Sequence, residues 1–336
     1  RAKLSMVSSG ATMSDDLVVH LKLDETSGTT ASNSGSGTDA ATIYDDYGEP
    51  NEEPVGADGL IGNAILINGA DSETYAFGVL DDYPKIKDNG TVSLWLNTPG
   101  IDGESAVVVR NGSVINIVTE NQFQITITNN TDGEAVLGCQ ISAGPNVINV
   151  VDTEALAFDE WVHVALTVDG GQLRLYKNGK LVGMTDYLDR INGSTEDWLA
   201  IGANLTLVQE EGEDPYFAMD EANPQAFSGS IDDFALWHVA RGADEIESIY
   251  AKGIAGSDVT KASVTIPDFV EPVEIVEPDA PTISLVRNGD GTVTVTYTGT
   301  LQAAATANGP WEDVEGATSP LNVPADAPAT FARSRN

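Results

Sequence analysis

Short runs of alternating or β-branched residues recur along most of the chain: "VVHLKL" (18–23), "TVSLWLN" (91–97), "QFQITITN" (122–129), "WVHVALTVDG" (161–170) and "QLRLYKNGKLVG" (172–183). Each has the period of two that a strand with one buried face requires. In the fourth run, Val162, Val164, Leu166 and Val168 fall on the core side, and Trp161, His163, Ala165 and Thr167 on the opposite side. Gly- and Asn-rich clusters separate the runs, and the Asn178-Gly179 pair predicts a type I′ hairpin, whose two central residues need positive φ. One segment breaks the period. Around 242–252, acids precede an apolar stripe that ends at Lys252-Gly253, the start and stop of a short helix. The pattern predicts an all-β chain built as a two-sheet antiparallel jelly-roll sandwich.

The same pattern divides the chain. Residues 1–16 are small and polar and read as an arm, and residues 17–256 carry the strands of the large domain. Residues 257–280 hold prolines separated by acids and β-branched residues, an extended linker that cannot be helix. Residues 281–336 form a small β domain with a hairpin around "NGDG" and Trp311 as its expected centre.

Charge narrows the partners. The formal net charge of −36 repels phosphate, so neither nucleic acid nor an anionic membrane is a partner, and no apolar run is long enough for membrane insertion. Abundant carboxylates suit saline media and divalent cations. Cys139 is the only cysteine, which excludes an intramolecular disulfide, and its strand-like surroundings predict a buried thiol. The numbering opens on Arg1, as expected of a mature exported chain that is secreted or attached to the cell surface.

Five motifs in order, "LVVHLKLDETSG", "LIGNAILINGADSETYAF", "TVSLWLN", "FDEWVHVALTVDGGQLRLYKNGKLVG" and "FSGSIDDFALWHVARGADEIESIYAKG", resemble the laminin-G-like, concanavalin-A-like lectin-glucanase jelly rolls over about residues 17–253. The resemblance implies an extracellular setting and often a structural Ca2+ ion. In such domains the first Asp of the Ile-Asp-Asp pattern and the Asp of the opening strand are ligands. These are Asp232 and Asp24 here, with Asn68 and Asp71 as further oxygen donors.

Glycanases of this fold need two carboxylates at alternate strand positions. Asp232 and Asp233 are adjacent, which in a regular strand sends them to opposite faces, so the protein is expected not to be an enzyme. Trp198, Tyr216 and Phe217, on and beside a loop rich in acids, are the candidate platform for a polysaccharide or cell-surface glycan. Copies of the chain itself are the alternative partner. Leu4, Met6 and Val7 of the arm, or Val264, Ile266, Val273 and Ile275 of the linker, would add as a strand to a neighbour and build a filament.

Overall fold

The structure, a computed structural model, describes residues 12–37, 39–44, 50, 56–68, 77–81, 83, 85–101, 103–111, 122–193, 198–209, 211–212, 214–220, 223–264, 280–326 and 330–335. The chain divides into two compact units, residues 1–268 and 269–336.

The first unit is the expected sandwich of two antiparallel sheets. Sheet 1 runs β14 (Lys180–Asp186), β13 (Gln172–Lys177), β12 (Val162–Asp169), β7 (Asn89–Asn97), β18 (Ser228–Trp237), β5 (Asn63–Asn68), β4 (Gly56–Asp58), and β1 (Leu17–Leu21) also pairs with β18. Sheet 2 runs β11 (Asn146–Val151), β10 (Ala135–Ala143), β9 (Phe123–Asn129), β8 (Ser105–Asn111), β15 (Leu199–Ile201), β6 (Phe77–Leu80), β3 (Ala41–Tyr44), β2 (Thr30–Ala31). Val164 and Leu166 of β12 meet Phe123, Ile125 and Leu137 of sheet 2 in the main core, as the alternation predicts. The hairpin at Asn178-Gly179 has φ of 51° and 78°, the type I′ signature.

The other face of sheet 1 is also buried. Helix α1 (Ala243–Ile254) lies across it, and Ile246 and Ile249 pack with Ala165, Tyr176, Ala235 and Trp237. Gly253 lets the helix approach, because a Cβ there would stand 2.4–2.7 Å from the Trp95 ring. His163 sits beneath the helix, sharing a 2.8 Å hydrogen bond with Ser93 Oγ, and burial pushes its pKa down to about 3.

Both ends of this unit join the second core, so the arm and the linker are shorter than their sequence suggested. Met13 is fully buried, and its carbonyl accepts the Trp237 indole N–H at 2.6 Å. Thr12 bridges antiparallel to Ser263, and Val259 and Ala262 are buried in the same cluster. Period-two reading misses these contacts because single apolar residues in irregular backbone make them. Val264 is half-buried beside that bridge; Leu4, Met6, Val7, Ile266, Val273 and Ile275 lie outside the described residues.

The second unit packs two three-stranded sheets face to face. One is β19 (Ile283–Arg287), β20 (Thr292–Tyr297), β23 (Leu321–Pro324); the other is β22 (Glu312–Asp313), β21 (Thr300–Ala304), β24 (Phe331–Arg335). Val295, Tyr297 and Leu301 form its centre. Trp311 does not. It lies half-buried against the Arg333 guanidinium, 4.5 Å from the ring centroid, because Gln302 beside it in β21 faces away from the core.

Replacing Gly253 by Ala tests the helix-to-sheet fit. In an exposed helix that change stabilises by up to ~1 kcal/mol. Here the methyl group collides with Trp95, so Gly253→Ala is expected to destabilise by ~1–3 kcal/mol and lower the thermal unfolding midpoint.

Candidate functional site

Strand β18 changes neighbours along its length. Residues 228–231 pair with β5, and residues 234–237 pair with β1. Asp232 and Asp233 occupy the seam. On the other side the register against β7 shifts between Asp232 and Ala235, and Asp233 has φ of 48°, which marks a bulge. A regular strand would send the two carboxylates to opposite faces, and the bulge overrides that. Asp232 stands opposite Trp95, on the helix-covered face, and Asp233 reaches His20 on the same face.

The pair is almost wholly buried, and its oxygens serve groups that no strand reaches. Asp233 Oδ1 lies 2.6 Å from His20 Nε2, whose other ring nitrogen is 2.9 Å from Ser34 Oγ, and Oδ2 accepts the Val259 N–H at 3.1 Å. Asp232 Oδ2 accepts the Ile61 N–H at 2.8 Å, while Oδ1 has no hydrogen-bond partner. Asp24 closes the same turn from outside, with Oδ1 accepting the Asn63 N–H at 2.8 Å. Two glycines permit this closure. A Cβ on Gly59 would stand 2.8 Å from Asp232 Oδ2, and one on Gly62 would stand 2.1 Å from Asp24 Oδ1. Burial, reinforced by the charges of Asp233 and Asp24, pushes the Asp232 pKa up to about 7 against the pull of the Ile61 N–H. Nearby, Lys22 Nζ holds Asp258 at 2.8 Å. Burial opposes the Asp258 charge, yet the bond from Lys22 brings its pKa down to about 2.

Of the four ligands suggested by resemblance, the structure therefore brings Asp24 and Asp232 to one turn. Asn68 closes β5 opposite Ser228, and Asp71 lies outside the described residues. Among the described residues, no three His, Cys, Asp or Glu side chains gather as a metal cluster. The fit to a cation rests on the orphaned Asp232 oxygen, the Asp24 carboxylate and the glycine-backed turn between them.

A different surface appears on the outer face of sheet 2. Phe123, Ile125 and Ile127 point into the core, so Gln124, Thr126 and Thr128 point outward. Register aligns Arg110, Gln124, Gln140 and Asn149 in a row across β8, β9, β10 and β11. Gln124 donates to Gln140 Oε1 at 3.2 Å; both are half-buried, and Asn149 is exposed. On the far side of Arg110 the row continues as apolar Ala200 and Val79.

A hairpin, β16 (Leu205–Val208) and β17 (Tyr216–Met219), covers that apolar half. Trp198 and Phe217 are only 5% and 8% exposed, edge to face at 5.1 Å, and they pack on Phe77, Val79 and Ala200. They are the hairpin's core and not a platform for a ligand; Tyr216 is half-buried. Their apolar partners are distant in sequence, so the loop-like setting misled. Arg110 marks the border of the polar half. It donates to Asn204 Oδ1, and Asn204 in turn donates to Asp220 at 3.2 Å. Burial lowers the Arg110 pKa to about 10, with Asp220 opposing the shift. The signal for the polar row lies in "QFQITITN", a strand whose outward positions are Gln, Thr and Thr and which contains no outward aromatic.

Residues 72–247 match the family model described as "Concanavalin A-like lectin/glucanases superfamily", and the chain belongs to that family. No curated protein matches it. Similar solved structures include domain 4 of an extracellular GH43 arabinanase from Geobacillus stearothermophilus, in complex with arabinotriose (19% identity, 69% of this chain, 97% of that chain, TM-score 0.48). Others are a heptameric SAP-like pentraxin from Limulus polyphemus (17%, 58% and 84%, 0.42) and a botulinum neurotoxin type C structure described in terms of two ganglioside molecules (11%, 72% and 52%, 0.48).

The raised Asp232 pKa sets a pH test. A carboxyl that holds its proton more tightly when folded stabilises the fold below its unfolded pKa of ~3.9, and that stability is lost as pH rises to about 7. In excess chelator, wild type is expected to lose a few kcal/mol more than Asp232→Asn between these limits. Parallel denaturation series across that range measure the difference.

Proposed function

We propose that the protein is a non-catalytic, extracellular glycan-binding module, secreted or attached to the cell surface. The observation that carries this reading is the polar row Gln124, Gln140 and Asn149, half-buried to exposed on the outer face of sheet 2 in a lectin-superfamily fold. A side-chain amide offers donors and an acceptor together, matching the paired hydroxyls of a sugar. The row contains no carboxylate, so it has neither a general acid nor a nucleophile for a glycosidic bond. The acid surface suits a saline medium and neutral or cationic partners.

A Ca2+ ion at Asp24 and Asp232 would supply the positive charge that the buried carboxylates lack and would lock the Gly59–Gly62 turn to β18. Its role there is structural, away from the polar row. Copies of the chain are a second class of partner, favoured by the open sheet edges of the second unit.

A glycan array is the direct test of the main reading. Selective binding is expected, with Gln140→Ala or Asn149→Ala weakening it by ~5–10-fold, the scale of one lost hydrogen bond. Binding that ignores both changes would refute the row as the site. No release of reducing ends from β-glucan or arabinan is expected.

Calcium is tested by melting. Chelator is expected to lower the midpoint by the equivalent of ~2.7 kcal/mol at a hundredfold excess of ion over Kd, and Asp232→Ala to abolish most of that difference. Identical melting curves with and without calcium, in protein first stripped of metal, would remove the ion from the proposal.

A further inference from the structure

The second unit is a sandwich with one strand position open. Its sheets β19-β20-β23 and β22-β21-β24 line one cavity from both sides, and β19 and β24 are edge strands among the described residues. Leu285 of β19 pairs with Val295, which is buried, so alternation directs both side chains inward. Leu285 is nevertheless 59% exposed at the edge of its sheet. An apolar cavity of about 460 Å³ lies between the sheets, and its walls include Leu285, Val293, Leu321 and Val323 from one sheet and Ala303 and Ala332 from the other. β24 borders it, pairing with β21 along one side only.

We infer that this edge is a strand acceptor, and that its occupant is the amino-terminal segment, residues 2–8, of a second copy of the chain. This deepens the self-association reading and is independent of glycan binding by the first unit. An added strand would pair its backbone with the edge of β24 that no described strand occupies and place alternate side chains in the cavity. Residues 2–8, "AKLSMVS", offer Ala2, Leu4 and Met6 at alternate positions, without proline. Met6 suits an irregular apolar space. Eleven residues precede the anchor at Thr12, and fully extended they reach ~36–40 Å. A strand as long as β24 needs ~17 Å, which leaves residues 9–11 to cross between molecules. Arg1 and Lys3 are the only charges before Asp15, so the segment is cationic and is drawn to a partner of net charge −36. Asp313 pairs with Arg335, and Gln302 and the Trp311 ring hold the Arg333 side chain in place. Donor and acceptor lie at opposite ends of the sequence, so the contact is head-to-tail and propagates into a filament.

The test compares the full chain, a chain lacking residues 1–9, and a labelled peptide of residues 1–10. Light scattering is expected to show mass rising with concentration for the full chain only. The peptide is expected to bind the shortened chain and to slow hydrogen exchange of the Phe331–Arg335 amides. Met6→Asp in the peptide or Leu285→Lys in the acceptor is expected to weaken binding by at least ~10-fold. Leu285 is exposed, so its replacement leaves the fold intact, which circular dichroism checks. A monomeric full chain, a polymer indifferent to the deletion, or a peptide that does not bind would each overturn the inference. So would Phe331–Arg335 amides already protected in the shortened monomer, which would mean that the chain's own residues 265–279 fill the edge. Glycan binding by the shortened chain is expected to be unchanged, which separates failure here from failure of the glycan reading.

Discussion

Every backbone N–H taken out of water needs an acceptor, and at the seam of β18 the ladder cannot provide one. The strand there has lost β5 and has not yet met β1. Asp232 and Asp233 supply the missing oxygens, to Ile61 on one side and to Val259 on the other. Those bonds hold the turn before β5, the opening strand through His20, and the segment that follows the helix. Two adjacent side chains thus join three stretches of chain far apart in sequence. The arrangement places negative charge where water cannot screen it, which explains why the Asp232 carboxyl is pushed up to about 7.

Much of the first unit was legible because its strands obey the period of two. "WVHVALTVDG" and "QLRLYKNGKLVG" became β12, β13 and their type I′ turn, and the helix appeared where its acids and final glycine put it. The reading went astray where burial depends on distant residues. Alternation names the core face of a strand but does not say whether the opposite face is wet. His163, Ala165 and Thr167 are as buried as Val164 because α1 covers them. Trp198 and Phe217 were judged from local polarity, yet β16 and β17 fold them onto sheet 2. The bulge at Asp233 also escaped, since a positive φ at an aspartate leaves no mark in a hydrophobic pattern.

The two units solve the same packing problem unequally. The larger one covers sheet 1 with a helix and half of sheet 2 with a hairpin, and the exposed and half-buried positions Gln124, Gln140 and Asn149 lie on the other half of sheet 2. The smaller one centres on a small cluster, Val295, Tyr297 and Leu301, and keeps an apolar cavity between its sheets. Family membership speaks to the first unit, since the matched residues end at 247.

The bridge between Thr12 and Ser263 has a mechanical meaning. Thr12 and Val264 bound the described part of the first unit, and a force applied at these two positions acts on neighbouring points. A pull is therefore borne by that bridge and by the grip of Trp237 on Met13, not by the long ladders of the two sheets. The bridge opens one contact at a time, as a zipper does. The sandwich stays outside the load path until those contacts fail, so the outer face of sheet 2 is insulated from that force.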